Sequence, residues 1–461
     1  MLSEMVLSVL SSSHTCDRLA YSRLMKPNGN TGNQAQTKPQ PRFFYGWIIV
    51  GVMAAAGAVT PALATLNFGL FIKIMGDELG IGRSMFGWAM TARQVAGSAS
   101  GPILGKLIDR FGSRVILAIA AVITGTGMIG LSFILHSWQM VLMFGIMGII
   151  GFGGPGGGLV TSIPVLKWFV HNRGKAIAFS ALGIPLGALI FIPLTQILIA
   201  SRGWREAWVI LAVLTTAIVV PLSLIFVRRQ PEDMGLRPDG APSTHKHSLD
   251  STPPTIVHDE VAWTLHEAIH TGAFWSLVIA FSFMFLGMGS VGVHRIPAFM
   301  DRGLDPRLIS YATAFDAIMA GTSTFVSGLL VRRIRARFIG VVSFFLLAAA
   351  TVLTIYAYSF PVMFLSMAFF GLGIGGMIFS SNFLWAEYYG RRHLGTIMGV
   401  VAPITMIVGG IGPPLAGYIR DTTGHYDPMW WTSVGLMTLS AVILVTAPAP
   451  RKAEDKGQAA A

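Results

Sequence analysis

The chain predicts an all-α membrane protein, with twelve transmembrane helices arranged as two pseudo-symmetric six-helix halves. Composition is the first reason. Of 461 residues, 53% are hydrophobic and 12% charged, and the mean hydropathy is +0.64, far from the values of a soluble domain. Internal repetition is the second. Gly151, Gly153 and Gly156 lead to Lys167, Trp168 and Phe169, then to Asn172, Arg173 and Lys175. At an offset of 220, Gly371, Gly373 and Gly376 lead to Glu387, Tyr388 and Tyr389, then to Arg391, Arg392 and His393. A further echo, at an offset of 223, matches Gly105-Lys106-Leu107-Ile108-Asp109-Arg110 to Gly328-Leu329-Leu330-Val331-Arg332-Arg333. Parallel repeats in so apolar a chain are the pattern of a two-domain secondary transporter.

Apolar segments fall near 46–70, 85–104, 115–135, 139–166, 176–200, 207–227, 273–298, 308–331, 338–357, 360–386, 394–419 and 428–447. Each approaches the roughly 20 residues that cross a bilayer as a helix, the conformation that satisfies its own backbone in lipid. The two bundles are expected over 42–228 and 271–447. Between them, residues 229–270 read as a cytoplasmic linker carrying Pro231, Pro238, Pro242, Pro253 and Pro254, ending in an amphipathic interfacial helix within 261–274. Residues 1–41, where Met25 offers an alternative start, and 448–461 are expected to be flexible cytoplasmic tails. Gly151 to Gly158, with Pro155 among them, precede no Gly-Lys-Ser/Thr and so form no phosphate loop; small residues there are expected to let helices approach and slide.

Lysine and arginine set the orientation, because cytoplasmic loops retain positive charge. Loops after even-numbered segments hold twelve: Lys106, Arg110, Arg114, Lys167, Arg173, Lys175, Arg332, Arg333, Arg335, Arg337, Arg391 and Arg392. The opposite short loops hold seven: Lys73, Arg83, Arg202, Arg205, Arg302, Arg307 and Arg420. Both termini are therefore expected in the cytoplasm of a multi-pass protein of the cell membrane. The net charge of +12 then serves cytoplasmic loops and lipid headgroups, not nucleic acid. With a single cysteine, Cys16, the chain has neither an internal disulfide nor a cysteine metal cluster.

The run from Gly105 through Asp109, Arg110, Phe111 and Gly112 to Arg114 resembles the loop signature of the major facilitator superfamily. The resemblance implies a latch, in which Gly105 permits close helix approach and Asp109 is bridged by bases such as Arg110 and Arg114. In the second half Arg332 stands at the acid position, so the latch is expected to be asymmetric. Within that superfamily the chain is similar, over about residues 42–447, to the monocarboxylate transporter and oxalate-formate antiporter group. Tyr45-Gly46-Trp47, then Trp168-Phe169 with Arg173, Gly174, Gly183 and Gly187, and finally Gly409 to Pro414 with Gly417 and Asp421-Thr422-Thr423-Gly424 carry that similarity. Two features of the group's animal members are missing. No lysine precedes Lys73 in the first segment, and Asp316 is followed four residues on by Ala320 where an arginine would complete the pair.

Repeat arithmetic supplies candidates for the site. Arg93 lies 12 residues before Gly105 and Asp316 lies 12 before Gly328, which places both about 18 Å from the cytoplasmic helix ends, near the bilayer midplane. Ionised groups at that depth cost about 2.5 to 3.5 kcal/mol on the insertion scale, so they face water, each other or cargo. Arg93 is expected to hold a substrate carboxylate through its planar donor fork while Asp316 balances the charge or exchanges a proton. The alternative is a structural Arg93–Asp316 ion pair. His294 and Arg295 sit late in the seventh segment, where His294 suits a proton-coupled gate and Arg295 a snorkelling or binding role. Asn382 is expected to reach a polar substrate and Trp385 to wall the cavity, with a helix-to-helix hydrogen bond as the plainer role for Asn382.

His266-Glu267-Ala268-Ile269-His270 is a literal His-Glu-x-x-His, the spacing that presents two imidazoles for zinc. A zinc hydrolase also needs a third ligand, for which His245, His247 and His258 are the available histidines. Trp263, Leu265, Ala268 and Ile269 favour a plain interfacial helix instead. The expectation is a monomeric facilitator, not an enzyme, without cofactor. Its partners are the lipid bilayer, a small organic anion such as a monocarboxylate, and protons or a counter-anion. Efflux of an amphipathic organic compound is the alternative transport reading, and a non-transporting nutrient sensor the contrasting class.

Overall fold

The computed structural model describes residues 44–150, 172–234, 263–390 and 393–447, with isolated positions between 161 and 169 and at 236, 239, 449 and 450; among them there is no strand. Helix α1 (Gly46–Pro61) passes through a π-helical turn (Ala62–Leu66) into α2 (Phe68–Leu79), followed by α3 (Arg83–Phe111), α4 (Ser113–Ser132) and α5 (Ser137–Ile150). Then come α6 (Arg173–Ala181), α7 (Gly183–Phe226), the short α8 (Leu265–Ile269) and α9 (Gly272–Asp301). Helices α10 (Pro306–Leu330), α11 (Ala336–Ile355), α12 (Phe360–Tyr389), α13 (Leu394–Thr423) and α14 (Asp427–Thr446) complete the fold. The glycine run 151–158, the two tails, most of the linker, and Arg391 and Arg392 lie outside the described residues.

Eight helical stretches among the described residues are long and apolar enough to cross a membrane. Helices α3 and α10, of 29 and 25 residues, are as long and contain Arg93 and Asp316. Several helices outrun their apolar segments. Helix α3 begins at Arg83 and ends at Phe111, and α12 continues to Tyr389, because backbone hydrogen bonding does not stop where hydrocarbon ends. At α7, two apolar segments form one helical stretch of 44 residues, which would measure about 66 Å if straight. Both its ends nevertheless lie beside α1. A Cβ on Gly183 would meet the Ala54 carbonyl at 2.0 Å, and Tyr45 Oη donates to the Phe226 carbonyl at 2.8 Å. The chain therefore doubles back at Gly203, whose φ of 80° favours glycine. At that reversal the Trp204 and Arg205 side chains bond Glu78 near the end of α2.

The repeat read from the sequence reappears as a packing geometry. A Cβ on Gly148 of α5 would stand 2.3 Å from the Arg93 carbonyl of α3, and one on Gly371 of α12 would stand 2.2 Å from the Asp316 carbonyl of α10. Both members of this pair of contacts are displaced by 223 positions, the offset of the Gly105 and Gly328 echo. Small residues allow such backbone-to-backbone approach, which is how helices associate without a hydrophobic drive between them. One buried core gathers α1 to α7 and extends into Ile296, Phe299, Met300, Met363 and, on α10, Ile309 and Ala312; the other gathers α8, α9 and α11 to α14.

A long seam joins the halves where α3 runs beside α13. Gly417 meets the backbone of Ser84, Gly87 meets Pro413 and Pro414, Thr91 Oγ1 donates to the Gly410 carbonyl, and Gln94 Nε2 donates to the Met406 carbonyl at 3.2 Å. These contacts step by three and four residues along both helices, the spacing of one helical face. Pro414 has no N–H to offer the carbonyl four residues back, and Thr91 of the other half supplies the missing donor. Further along both helices, a Cβ on Gly101, Gly395 or Gly399 would meet nothing within 4 Å. The molecule is thus closed at the end bearing Gly82 and Asp421, and among the described residues the seam stops partway along.

The expected interfacial helix within 261–274 is instead the five-residue α8, tied to the protein. Trp263 N–H donates to the Tyr389 carbonyl at 3.2 Å, and Thr271 Oγ1 lies 2.8 Å from Tyr389 Oη. Thr264 and Glu267 form a reciprocal cap that starts the helix, and Thr271 caps α9 so soon afterwards that no longer helix fits.

Alanine at Gly148 or Gly371 should lower the melting temperature of the purified protein, by the equivalent of about 1 to 3 kcal/mol for an overpacked contact. Gly399→Ala, facing open space, should leave it unchanged or raise it slightly.

Candidate functional site

The π turn after Pro61 carries Ala64, and i→i+5 bonding there disturbs the regular pairing of backbone carbonyls. Arg93 Nη1 donates to the Ala64 carbonyl, and its guanidinium carbon lies 6.0 Å from the Phe144 ring centroid. Arg93 is 2% exposed. Its Nε and Nη2 find no hydrogen-bond partner among the described residues, so a full positive charge stands in the interior without an acid beside it.

Asp316 occupies the repeat-related position on α10, and its partner comes from α9. Arg295 Nη2 donates to Asp316 Oδ2, and the Arg295 guanidinium carbon lies 3.9 Å from the centroid of the Phe370 ring. Phe370 precedes Gly371, the residue that brings α12 against the Asp316 backbone. Both side chains are buried, yet Arg295 Nε and Nη1 and Asp316 Oδ1 have no partner among the described residues. The pair retains unused donors and an unused acceptor.

Of the residues singled out in the sequence, the fold joins Arg295 to Asp316. The Arg93–Asp316 ion pair entertained above does not form, because Arg93 is engaged by the π turn of its own half and Asp316 by the neighbouring helix. His294 faces another way from the adjacent Arg295. Its Nε2 lies 2.8 Å from the Pro413 carbonyl of α13 and its ring centroid 5.3 Å from that of Tyr426. Asn382 Nδ2 donates at 3.0 Å to the Ile378 carbonyl of its own helix. Trp385 is buried against Phe274 and Tyr389, 14 positions beyond Gly371 and thus about 21 Å along α12. Neither of these two joins the charged pair. Gly105 and Asp109 lie in α3, but their side chains are outside the described set; Arg110 packs its guanidinium on Phe111 at 5.3 Å, and Arg114 is exposed.

The His-Glu-x-x-His stretch is accounted for by local structure. Glu267 is spent on the cap of α8, and His270 Nδ1 lies 2.6 Å from the His266 carbonyl. Among the described residues no three His, Cys, Asp or Glu side chains are placed to hold a metal; His245, His247 and His258 fall outside that set.

A second charged group, at the closed end, escaped the sequence reading. Asp301, the last residue of α9, accepts from Lys73 at 2.8 Å and Arg83 at 3.3 Å, and Arg420 lies 3.5 Å from its other oxygen. The Asp421 carboxylate accepts the N–H groups of Arg83 at 2.7 Å and Ser84 at 2.9 Å, capping α3 from the opposite half. In the sequence, Lys73, Arg83 and Arg420 read only as loop bases. An acid at the end of a neighbouring segment was the available signal.

The sequence model of the Major Facilitator Superfamily matches residues 49–401 and 277–461. Monocarboxylate transporter 2 of Rattus norvegicus is 25% identical over 421 residues, covering 87% of this chain and 82% of that protein. The oxalate:formate antiporter of Oxalobacter formigenes is 23% identical over 389 residues, covering 81% and 85%. Among solved structures, the D-xylose-proton symporter superposes with a TM-score of 0.66 at 15% identity, covering 88% of this chain and 98% of that one. The nucleoside transporter NupG superposes with a TM-score of 0.65 at 14% identity, covering 88% and 99%. These structural likenesses concern the fold. With a family model spanning most of its length and eight helical stretches of membrane-crossing length among the described residues, the chain is a transporter belonging to the Major Facilitator Superfamily.

Proposed function

We propose that this transporter moves a small organic anion, a monocarboxylate, by alternating access of two six-helix halves, coupled to protons or to a counter-anion. The observation that carries the proposal is the buried Arg295–Asp316 pair with hydrogen-bonding capacity to spare. A guanidinium presents its donors in a planar fork that suits a carboxylate. A cargo carboxylate of the same chemistry as Asp316 competes with it for Arg295. Once Asp316 is displaced, a proton on Asp316 restores the local charge balance; in exchange, a returning anion on Arg295 does the same.

Arg93 has a different part in this scheme. With no acid beside it among the described residues, it adds a second buried guanidinium to the Arg295–Asp316 pair, an excess that a single anionic group neutralises. The names of the monocarboxylate transporter and the oxalate:formate antiporter, at 25% and 23% identity, support a carboxylate as the cargo. The basic loops support a cytoplasmic position for the termini; on that reading the closed end faces outward and the parted ends of α3 and α13 face inward. Asp109, Arg110 and Arg114 then lie at the cytoplasmic rim, where the latch would close in the opposite state.

Proteoliposomes loaded with protein and given labelled monocarboxylates under an imposed proton gradient test this reading. Asp316→Asn should abolish proton-driven accumulation and spare anion exchange, whereas accumulation equal to that of the unmodified chain would refute the coupling role. Arg295→Gln should stop uptake in both modes. Arg93→Lys, which keeps the charge and loses the fork, should raise KM about tenfold, the effect of one charge-assisted hydrogen bond. An unchanged KM would remove Arg93 from the substrate path.

A further inference from the structure

The closed end holds a second set of polar atoms without partners. Arg83 Nη1 and Tyr426 Oη are both buried, and neither has a hydrogen-bond partner among the described residues. Arg83 is 9% and Tyr426 4% exposed. They belong to one cluster. Arg83 and Arg420 both reach Asp301, Asp421 holds the backbone of Arg83, and the Arg420 guanidinium carbon lies 5.8 Å from the Tyr426 ring centroid. The Tyr426 ring is fixed by stacking on Trp430, with centroids 5.0 Å apart, and by His294 on its other flank. The charges do not balance: Lys73, Arg83 and Arg420 face Asp301 and Asp421, an excess of one positive charge. Asp421 has both oxygens committed to backbone N–H groups, which leaves Asp301 to serve three cations.

We infer that this cluster is an anion-binding site, separate from the Arg295–Asp316 pair, in which Arg83 Nη1 and Tyr426 Oη donate to two atoms of a small oxyanion of carboxylate type. Two buried donors lacking acceptors are costly to bury, and one oxyanion satisfies both while cancelling the surplus charge. Burial holds the Tyr426 phenol well above its ordinary range, so it remains a donor at neutral pH. Lys73 and Arg420, with side chains 31% and 29% exposed, and Asp301, 20% exposed, form the rim through which solvent reaches the cluster. Because Lys73 and Arg83 come from one half and Asp301, Arg420 and Asp421 from the other, an anion seated here competes with Asp301 for the cations that tie the halves together. Occupancy therefore bears on how readily this end opens.

The test uses the purified full chain in lipid nanodiscs, with formate and chloride as probes at fixed pH and ionic strength. Formate should raise the melting temperature, and chloride should do so less, because a single atom cannot meet two separated donors equally well. Tyr426→Phe keeps the ring against Trp430 and His294 and removes only the hydroxyl; it should weaken the apparent formate affinity about tenfold, as should Arg83→Gln. In Arg295→Gln the formate response should persist, which separates this site from the proposed cargo pair even if that variant transports normally. A formate response unchanged in both Tyr426→Phe and Arg83→Gln, or one lost in Arg295→Gln alone, overturns the inference. Uptake tells the source of the anion apart. A raised KM for labelled formate in Tyr426→Phe marks a station for incoming cargo, and an unchanged KM with lost sensitivity to external chloride marks an ambient ion.

Discussion

An ionised side chain deep inside a membrane protein has few ways to be satisfied, and in this chain the way found by Asp316 is Arg295. That contact draws α9 and α10 together at a level where α12 also approaches closely, because Gly371 leaves no Cβ to hold it away from the Asp316 backbone. Three helices thus converge on one ion pair, with Phe370 covering the guanidinium face. Removing either partner would strand a charge in low-dielectric surroundings, which costs far more than the pair contributes. The geometry therefore keeps both charges while leaving part of each unbonded.

The first half solves the corresponding problem without an acid. Arg93 is placed by the same close helix approach, through Gly148, yet its bond goes to a carbonyl of the π turn in the first helical segment. An irregular turn at membrane depth is tolerated where it is enclosed by protein, and here it supplies the acceptor. The halves are alike in backbone packing and unlike in charge. Such asymmetry leaves one half with an unpaired positive charge among the described residues and the other with a buried ion pair.

Between the halves, α3 and α13 meet through glycines, prolines and short polar side chains instead of large apolar ones. Bonds such as Thr91 to the Gly410 carbonyl and Gln94 to the Met406 carbonyl have partners that water can replace when the seam separates. At the closed end, the partly exposed pairs of Asp301 with Lys73 and Arg420 are open to solvent and salt. An interface made this way suits the rocking of the halves proposed above.

The sequence alone determined the membrane class, the helical architecture, the duplication and the superfamily, because hydropathy, segment length and repeat spacing are local or strictly periodic quantities. It also marked Arg93 and Asp316 as equivalent, and the 223-position offset holds in the backbone contacts of both. Only the tertiary structure decided which charges meet. Arg295 was noted for its place near a helix end, yet nothing in a linear reading says that it turns toward Asp316 while His294, one residue earlier, turns toward Pro413. The Asp301 cluster draws on residues from 73 to 420, and Trp385 is enclosed by aromatic rings from 274 and 389. Such partnerships depend on how helices far apart in sequence are rotated about their axes, a matter settled by packing of the whole bundle and by the few glycines that let particular backbones touch.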